Sequence, residues 1–218
     1  MIGVYRSGPS YGGMAAGVLA QALRARLEET EGRVSLAVSG GNTPAPAFRA
    51  LVNLPIEWSR IDIYQVDERI APAGDPARNL NGLRSNLADH VDAVVHPMPV
   101  EEPDLEAAAR QYAASLPAVL DVVHLGLGDD GHTASLVPGD PVLGVNDAKV
   151  ALTEPYRGHR RMTLTFAPLS RARELVWIVG GAADKAPMLR RLMDRDTSIP
   201  AGRIPQDRAI LVTDEQDD

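Results

Sequence analysis

Short apolar runs alternate with longer segments of helical periodicity along most of the chain. The apolar runs predict strands at 34–38, 61–66, 93–98, 122–125, 162–166, 175–179 and 209–212. Apolar residues at helical spacing predict helices at 14–28, 45–52, 78–88, 104–115 and 184–193, with Asp104 and Asp184 as N-caps. Several strands are apolar almost throughout, as in a sheet covered by helices on both faces. The pattern predicts an α/β fold: a single Rossmann-like three-layer domain over residues 1–218, with a largely parallel sheet.

Glycine, hydroxyl and charged residues follow four of the predicted strands. They are SGGNTP at 39–44, DER at 67–69, GLGDDGH at 126–132, and Gly180-Gly181 followed by Lys185. Because the carboxyl ends of parallel strands meet at the same edge of a sheet, we expect these groups to converge on one ligand site.

The segment at 126–132 contains Gly126-x-Gly128-x-x-Gly131, the letter pattern of a dinucleotide-binding turn. Two carboxylates, Asp129 and Asp130, lie inside this turn and would repel a pyrophosphate at short range. Catalysis by a histidine fits better, because imidazole can take a proton from water and return it near neutral pH. Asp130 could orient His132 across the intervening glycine, as the acid does in a catalytic triad. His124 lies in a predicted strand and is expected to be a packed core residue.

The other three segments offer groups for an anion. In the glycine turn, Ser39 and Thr43 carry hydroxyls, although an ordinary turn capped by Thr43 would have the same letters. Arg69 could grip an anion while Asp67 contacts sugar hydroxyls, although a structural ion pair explains this segment as well. Arg161 and Lys185 could each add a charge-assisted bond to a phosphate.

Composition narrows the function classes. The chain has 218 residues, 44% of them hydrophobic, a net charge of −7 and no cysteine. The absence of cysteine excludes disulfides, thiolate nucleophiles and cysteine-ligated metal sites, and the acidic balance argues against a nucleic-acid partner. With no apparent signal segment or membrane span, we expect a cytoplasmic protein. The acidic end at 214–218 is expected to fray.

Four successive segments carry a family resemblance over nearly the whole chain. SGGNTP at 39–44, VDER at 66–69, GLGDDGHTASL at 126–136 and RMTLT at 161–165 resemble, in order and spacing, the signatures of the 6-phosphogluconolactonases. The resemblance implies hydrolysis of 6-phospho-D-glucono-1,5-lactone in the oxidative pentose phosphate pathway, without a metal or organic cofactor. It also implies a monomer or small homo-oligomer, with no nucleic-acid or membrane partner.

The resemblance also implies roles for individual residues. His132 would activate water and then protonate the ring oxygen, and Asp130 would orient it. The remaining residues would bind the substrate: Ser39, Gly40, Gly41, Asn42, Thr43, Asp67, Arg69, Arg161 and Lys185. The sequence does not decide which cation meets the phosphate and which the lactone carbonyl.

Two alternatives remain. A glucosamine-6-phosphate deaminase/isomerase shares the Asp-x-His pair but carries an acid five positions after the histidine, where this chain has Val137. A non-catalytic sugar-phosphate sensor would carry an additional DNA-binding helix-turn-helix, for which the chain has no room before residue 14.

Overall fold

Ten strands form two sheets in the computed structural model, which describes residues 2–215. The strands are β1 (Gly3–Arg6), β2 (Val34–Val38), β3 (Ile61–Gln65), β4 (Asp67–Arg69), β5 (Val94–His96), β6 (Val122–Leu125), β7 (Val150–Leu152), β8 (Arg161–Leu164), β9 (Glu174–Val179) and β10 (Ala209–Thr213). The main sheet has the order β1-β10-β9-β6-β2-β3-β5, and every neighbouring pair in it is parallel. A small antiparallel sheet has the order β4-β8-β7.

Helices cover both faces of the main sheet. They are α1 (Tyr11–Glu29), α2 (Ala45–Leu51), α3 (Asn79–Asn86), α4 (Leu105–Ser115), α5 (Phe166–Ser170) and α6 (Ala182–Met193). Alternate residues of β9 show the division of the core. Val176 and Ile178 pack in a cluster with α1, α2 and α3, whereas Trp177 and Val179 pack in a second cluster with α4, α5, α6 and the small sheet. The predicted three-layer α/β architecture with a largely parallel sheet is confirmed.

All seven predicted strands are present in order along the chain, three strands were not predicted, and the predictions at 93–98 and 162–166 extend beyond β5 and β8. The strand β1 is largely exposed at the sheet edge and therefore lacks an apolar run. The strands β4 and β7 have only three residues each, too few for a pattern. The predicted strand at 162–166 extends too far, because β8 ends at Leu164 and Phe166 begins α5.

One predicted helix cap is confirmed and the other is wrong. The side chain of Asp104 accepts from the Ala107 backbone N–H at 2.9 Å, as an N-cap does. Asp184 lies inside the first turn of α6, which begins two residues earlier. The carboxylate of Asp214 accepts from the first N–H groups of that helix instead, from Gly181 at 2.6 Å and Ala182 at 2.9 Å.

The expected fraying of the acidic end is wrong for the two of its residues that the structure describes. Asp214 binds the start of α6, and Glu215 forms an ion pair with Arg6 at 3.2 Å. The rest of that segment, 216–218, lies outside the described residues.

The four strands that precede the glycine, hydroxyl and charged segments are neighbours in the main sheet, in the order β9-β6-β2-β3. Since all four are parallel, their carboxyl ends share one edge, and the predicted convergence at this edge is confirmed. Within residues 2–215, no helix combines the length and apolar character needed to cross a membrane.

The cap of α6 can be tested by substitution. We expect Asp214→Ala to lower the free energy of unfolding by about 1 kcal/mol, because two N–H groups at the helix start lose their acceptor. Asp184→Ala, the matched control in the exposed first turn, should change it by less than about 0.5 kcal/mol. Urea unfolding of both variants measures the difference. A larger loss for Asp184→Ala would contradict this assignment of the cap.

Candidate functional site

A polar cavity of about 140 Å³ opens at the shared strand edge. Eight of the residues proposed from the sequence line it: Ser39, Gly40, Thr43, Asp67, Arg69, His132, Arg161 and Lys185. Two others, Gly41 and Asn42, are exposed in the turn after β2 and do not line the cavity. Asp130 lies next to the cavity and contacts it through His132. The structure therefore brings together most of the residues that four distant segments contribute.

Two positions in the turn after β2 require glycine. A Cβ on Gly40 would lie 2.3 Å from the side chain of Asn79, so only glycine fits between the turn and α3. Gly41 has φ of +98°, a conformation that side chains with a Cβ rarely adopt. The hydroxyl of Tyr11 donates to the Thr43 carbonyl at 3.0 Å. These contacts hold Ser39 and Thr43 at the cavity wall.

The turn at 126–132 positions the ring of His132, and its glycines allow the turn to take the shape that this requires. The ring nitrogen Nδ1 of His132 lies 2.5 Å from Oδ1 of Asp130. A Cβ on Gly128 would lie 2.0 Å from the same Nδ1, so glycine is needed there to make room for the ring. Gly131 has φ of +85° and packs against Ile199. The glycine spacing that resembles a dinucleotide turn therefore has a different physical cause.

Asp130 is held from three directions. One carboxylate oxygen contacts the ring and backbone N–H of His132, and the other accepts from the Tyr156 hydroxyl at 2.9 Å. Burial acts to raise the pKa of Asp130, but these hydrogen bonds outweigh it and leave the pKa below its ordinary value. Because Nδ1 faces an ionised carboxylate, the neutral imidazole of His132 carries its proton on Nδ1, and Nε2 is then the acceptor.

Tyr156 is a site residue that the sequence reading missed. Its ring packs edge-on against His132 at 5.4 Å between centroids, and the guanidinium of Arg161 lies 5.1 Å from its ring centroid. It lies in a tight turn, in which the backbone N–H of Tyr156 donates to the His159 carbonyl at 2.9 Å. Since Tyr156 is 26 positions from Asp130, no local spacing in the sequence indicated this contact.

A buried acid and a buried cation of the cavity lining, Asp67 and Arg161, both contact the hydroxyl of Ser135. The Ser135 hydroxyl donates to Asp67 at 2.6 Å, and Arg161 donates to the same hydroxyl at 3.4 Å. Burial raises the pKa of Asp67, against the effects of Ser135 and the charges of Arg161 and Arg69. Burial likewise lowers the pKa of Arg161. This position in the cavity lining is consistent with the expectation from the sequence that Asp67 lies in the site.

Three cations line the cavity and keep unused donor capacity. The Nε atoms of Arg69 and Arg161 are buried without a hydrogen-bond partner among the described residues. Lys185 Nζ donates to the Gly180 carbonyl at 3.1 Å, which leaves two of its protons for a ligand. Burial lowers the pKa of this amine. With Asp67 as the acid in the lining, the cavity is suited to an anionic ligand.

Glu68 has a structural role rather than a place in the cavity. Its carboxylate accepts from the backbone N–H groups of Asn79 at 2.7 Å and Leu80 at 2.9 Å, the start of α3, and pairs with Arg78 at 3.2 Å. Glu68 therefore does form a structural ion pair, but with Arg78 rather than with Arg69, the arginine of the segment considered from the sequence. It leaves Arg69 free to face the cavity.

One cluster has the composition of a cation site. Ligand atoms of Asp129, Asp130 and His132 lie within 4.8 Å of one another. Both oxygens of Asp130 already hold hydrogen bonds, and Asp129 pairs with Arg157 at 2.6 Å. A metal ion here would have to displace the contacts that orient the histidine.

The contact between Tyr156 and Asp130 can be tested without any knowledge of activity. We expect Tyr156→Phe to raise the pKa of Asp130, because the carboxylate loses a hydrogen bond that favours its ionised form. Carboxyl ¹³C NMR across an acid titration measures this. Tyr11→Phe removes a hydroxyl that does not contact Asp130 and should leave the pKa unchanged. An unchanged pKa in Tyr156→Phe would rule out a significant contact in solution.

Comparison with known proteins identifies the family. Residues 13–212 match the family described as glucosamine-6-phosphate isomerases/6-phosphogluconolactonase. The 6-phosphogluconolactonase of Synechocystis sp. is 38% identical over 166 residues, covering 70% of this chain and 68% of that protein. That of Caulobacter vibrioides is 35% identical over 210 residues, covering 89% and 88%.

A solved structure shows the same architecture. The crystal structure of 6-phosphogluconolactonase from Thermotoga maritima superposes with a TM-score of 0.88 at 25% identity, covering 98% of this chain and 99% of that one. The match of the family over most of the sequence and the shared fold lead to one conclusion: the chain belongs to the glucosamine-6-phosphate isomerase/6-phosphogluconolactonase family.

Proposed function

We propose that this protein is a 6-phosphogluconolactonase that hydrolyses 6-phospho-D-glucono-1,5-lactone to 6-phospho-D-gluconate. The observation that carries the proposal is the placement of His132, held by Asp130, in one cavity with three cations. The similarity to proteins named 6-phosphogluconolactonase supports it. We further propose that the enzyme acts in the oxidative pentose phosphate pathway of the cytoplasm, as a monomer or small homo-oligomer.

In the proposed first step, His132 activates water. Its Nε2 accepts a proton as the water oxygen bonds to the lactone carbonyl carbon, and the carbonyl becomes an oxyanion. Asp130 stabilises the resulting imidazolium and keeps the ring in one orientation. A guanidinium of the cavity wall, Arg69 or Arg161, stabilises the oxyanion through a hydrogen bond.

In the second step, the tetrahedral intermediate collapses. The carbonyl double bond re-forms and the bond to the ring oxygen breaks, so that the leaving oxygen needs a proton. His132 Nε2 returns the proton that it took from water, which yields the hydroxyl and the carboxylic acid of the open product. The proton balance closes within this one residue, and no metal or organic cofactor takes part in the proposed route.

The phosphate of the substrate is assigned to the part of the cavity with hydroxyls and the amine. Ser39 and Thr43 line this part, and Lys185 extends from the start of α6. A phosphate has several acceptor oxygens and carries a charge that matches the ammonium group. The arginines are then available for the lactone end.

The deaminase alternative is less well supported. Val137, five positions after His132, is buried and apolar, so this position cannot supply the acid that ring opening of an amino sugar would use. A sugar-phosphate sensor would not need the oriented His132–Asp130 pair. Neither alternative has an observation in its favour that the lactonase lacks.

The primary test is lactone hydrolysis near neutral pH, with the lactone generated in situ from glucose 6-phosphate. We expect His132→Ala to lower kcat by about 10²- to 10⁴-fold, because the base is lost. His90→Ala, a control at an exposed histidine outside the cavity, should retain wild-type kcat. Failure of the wild type to exceed the spontaneous rate would refute the proposed function; release of ammonia from glucosamine 6-phosphate would then support the deaminase.

The role of Lys185 has a matched control in the chain, because Lys149 is the other lysine. We expect Lys185→Met to raise KM by roughly 10- to 100-fold with a smaller effect on kcat, since one charge-assisted bond to the phosphate is lost. Lys149→Met should leave both constants unchanged. Steady-state kinetics at several lactone concentrations measures this, and an unchanged KM in Lys185→Met would remove this residue from the phosphate site.

A further inference from the structure

His124 is a cavity residue with no role in the steps above. It lies in β6, next to Val38 of β2 and Val176 of β9 in the strand register. Its ring packs edge-on against Phe48 of α2, with 5.6 Å between centroids. The side chain is fully buried, as the sequence predicted, but it also lines the cavity floor beside Ser39.

The neighbours of His124 determine its protonation and tautomer. Burial lowers its pKa to about 3, so the imidazole is neutral at physiological pH and carries one proton. The backbone N–H of Ser39 donates to Nδ1 at 3.2 Å. Since Nδ1 acts as an acceptor, the single proton must be on Nε2.

The Nε2–H group has no partner among the described residues. A buried donor left unpaired costs about 1–3 kcal/mol, so such a group usually meets a ligand or an ordered water. Gly126, two residues further along the chain, also lines the cavity, and a Cβ there would meet no atom within 4 Å, so the cavity is open beside Gly126.

We propose that His124 is a ligand-binding residue that donates Nε2–H to a phosphate oxygen of the bound sugar phosphate. The group can only donate, so its partner must be an acceptor. Ser39 and Thr43 line the same cavity, and Ser39 contacts His124 directly through its N–H. The imidazole thus adds an uncharged donor, fixed in direction, to the hydroxyls and Lys185. This inference rests on the assignment of the phosphate in the proposed function.

Binding of inorganic phosphate, 6-phosphogluconate and gluconate, measured by calorimetry near pH 7.5, tests the inference without requiring turnover. We expect His124→Leu to weaken inorganic phosphate and 6-phosphogluconate by roughly tenfold or more, the effect of losing one hydrogen bond to a charged acceptor. Any binding of gluconate, which has no phosphate, should be unchanged. His124→Gln keeps an N–H donor and should recover part of the affinity.

Controls separate this role from a structural one. His96→Leu makes the same change at a histidine outside the cavity and should bind inorganic phosphate as the wild type does. The inference would be overturned if a folded His124→Leu variant bound phosphate as tightly as the wild type, or if the wild type did not bind phosphate. It would also be overturned if His124→Leu lost affinity only for gluconate. A wild type that binds phosphate through His124 but hydrolyses no lactone would overturn the proposed function and leave this inference standing.

Discussion

The carboxylate of Glu68 lies inside the protein with no exposed surface, and the geometry of the cavity depends on it. An isolated buried charge would be costly, and this one is compensated by N–H donors from β4, from the start of α3 and from the Gln65 side chain, together with Arg78. These bonds fix the positions of residues on either side of Glu68. Asp67 and Arg69 point into the cavity because the residue between them is held in the core.

The two proposed catalytic partners are brought together by a short turn, whereas the other groups of the cavity are brought together by the sheet. Asp130 and His132 are close in sequence, and a short turn with glycine at Gly128 and Gly131 brings their side chains together. The groups proposed to bind the anion come from four strand ends, and the sheet itself aligns them. Local turn geometry therefore positions the pair proposed to transfer the proton, and the tertiary fold positions the charged groups around it.

Much of this arrangement could be predicted from the sequence, because it follows from patterns within short segments. Buried parallel strands have long apolar runs, and the polar residues that follow them mark the site. Other features depend on contacts that no local pattern records. The cap of α6 comes from Asp214, the hydroxyl on Asp130 comes from Tyr156, and the edge strand β1 has little apolar character. The burial of His124 was predictable, but its position at the cavity floor was not.

The order of strands has a consequence for synthesis of the protein. The first strand, β1, pairs only with β10 among the described strands, and β10 is the last of them. During translation, residues 3–6 must therefore wait without a pairing partner until more than 200 further residues have been made. The core strands β2, β3 and β6 can associate earlier, since all three have been made once residue 125 is reached. Asp214 follows β10 directly and binds the start of α6, so the helix that carries Lys185 gains this contact only after β10 has been made.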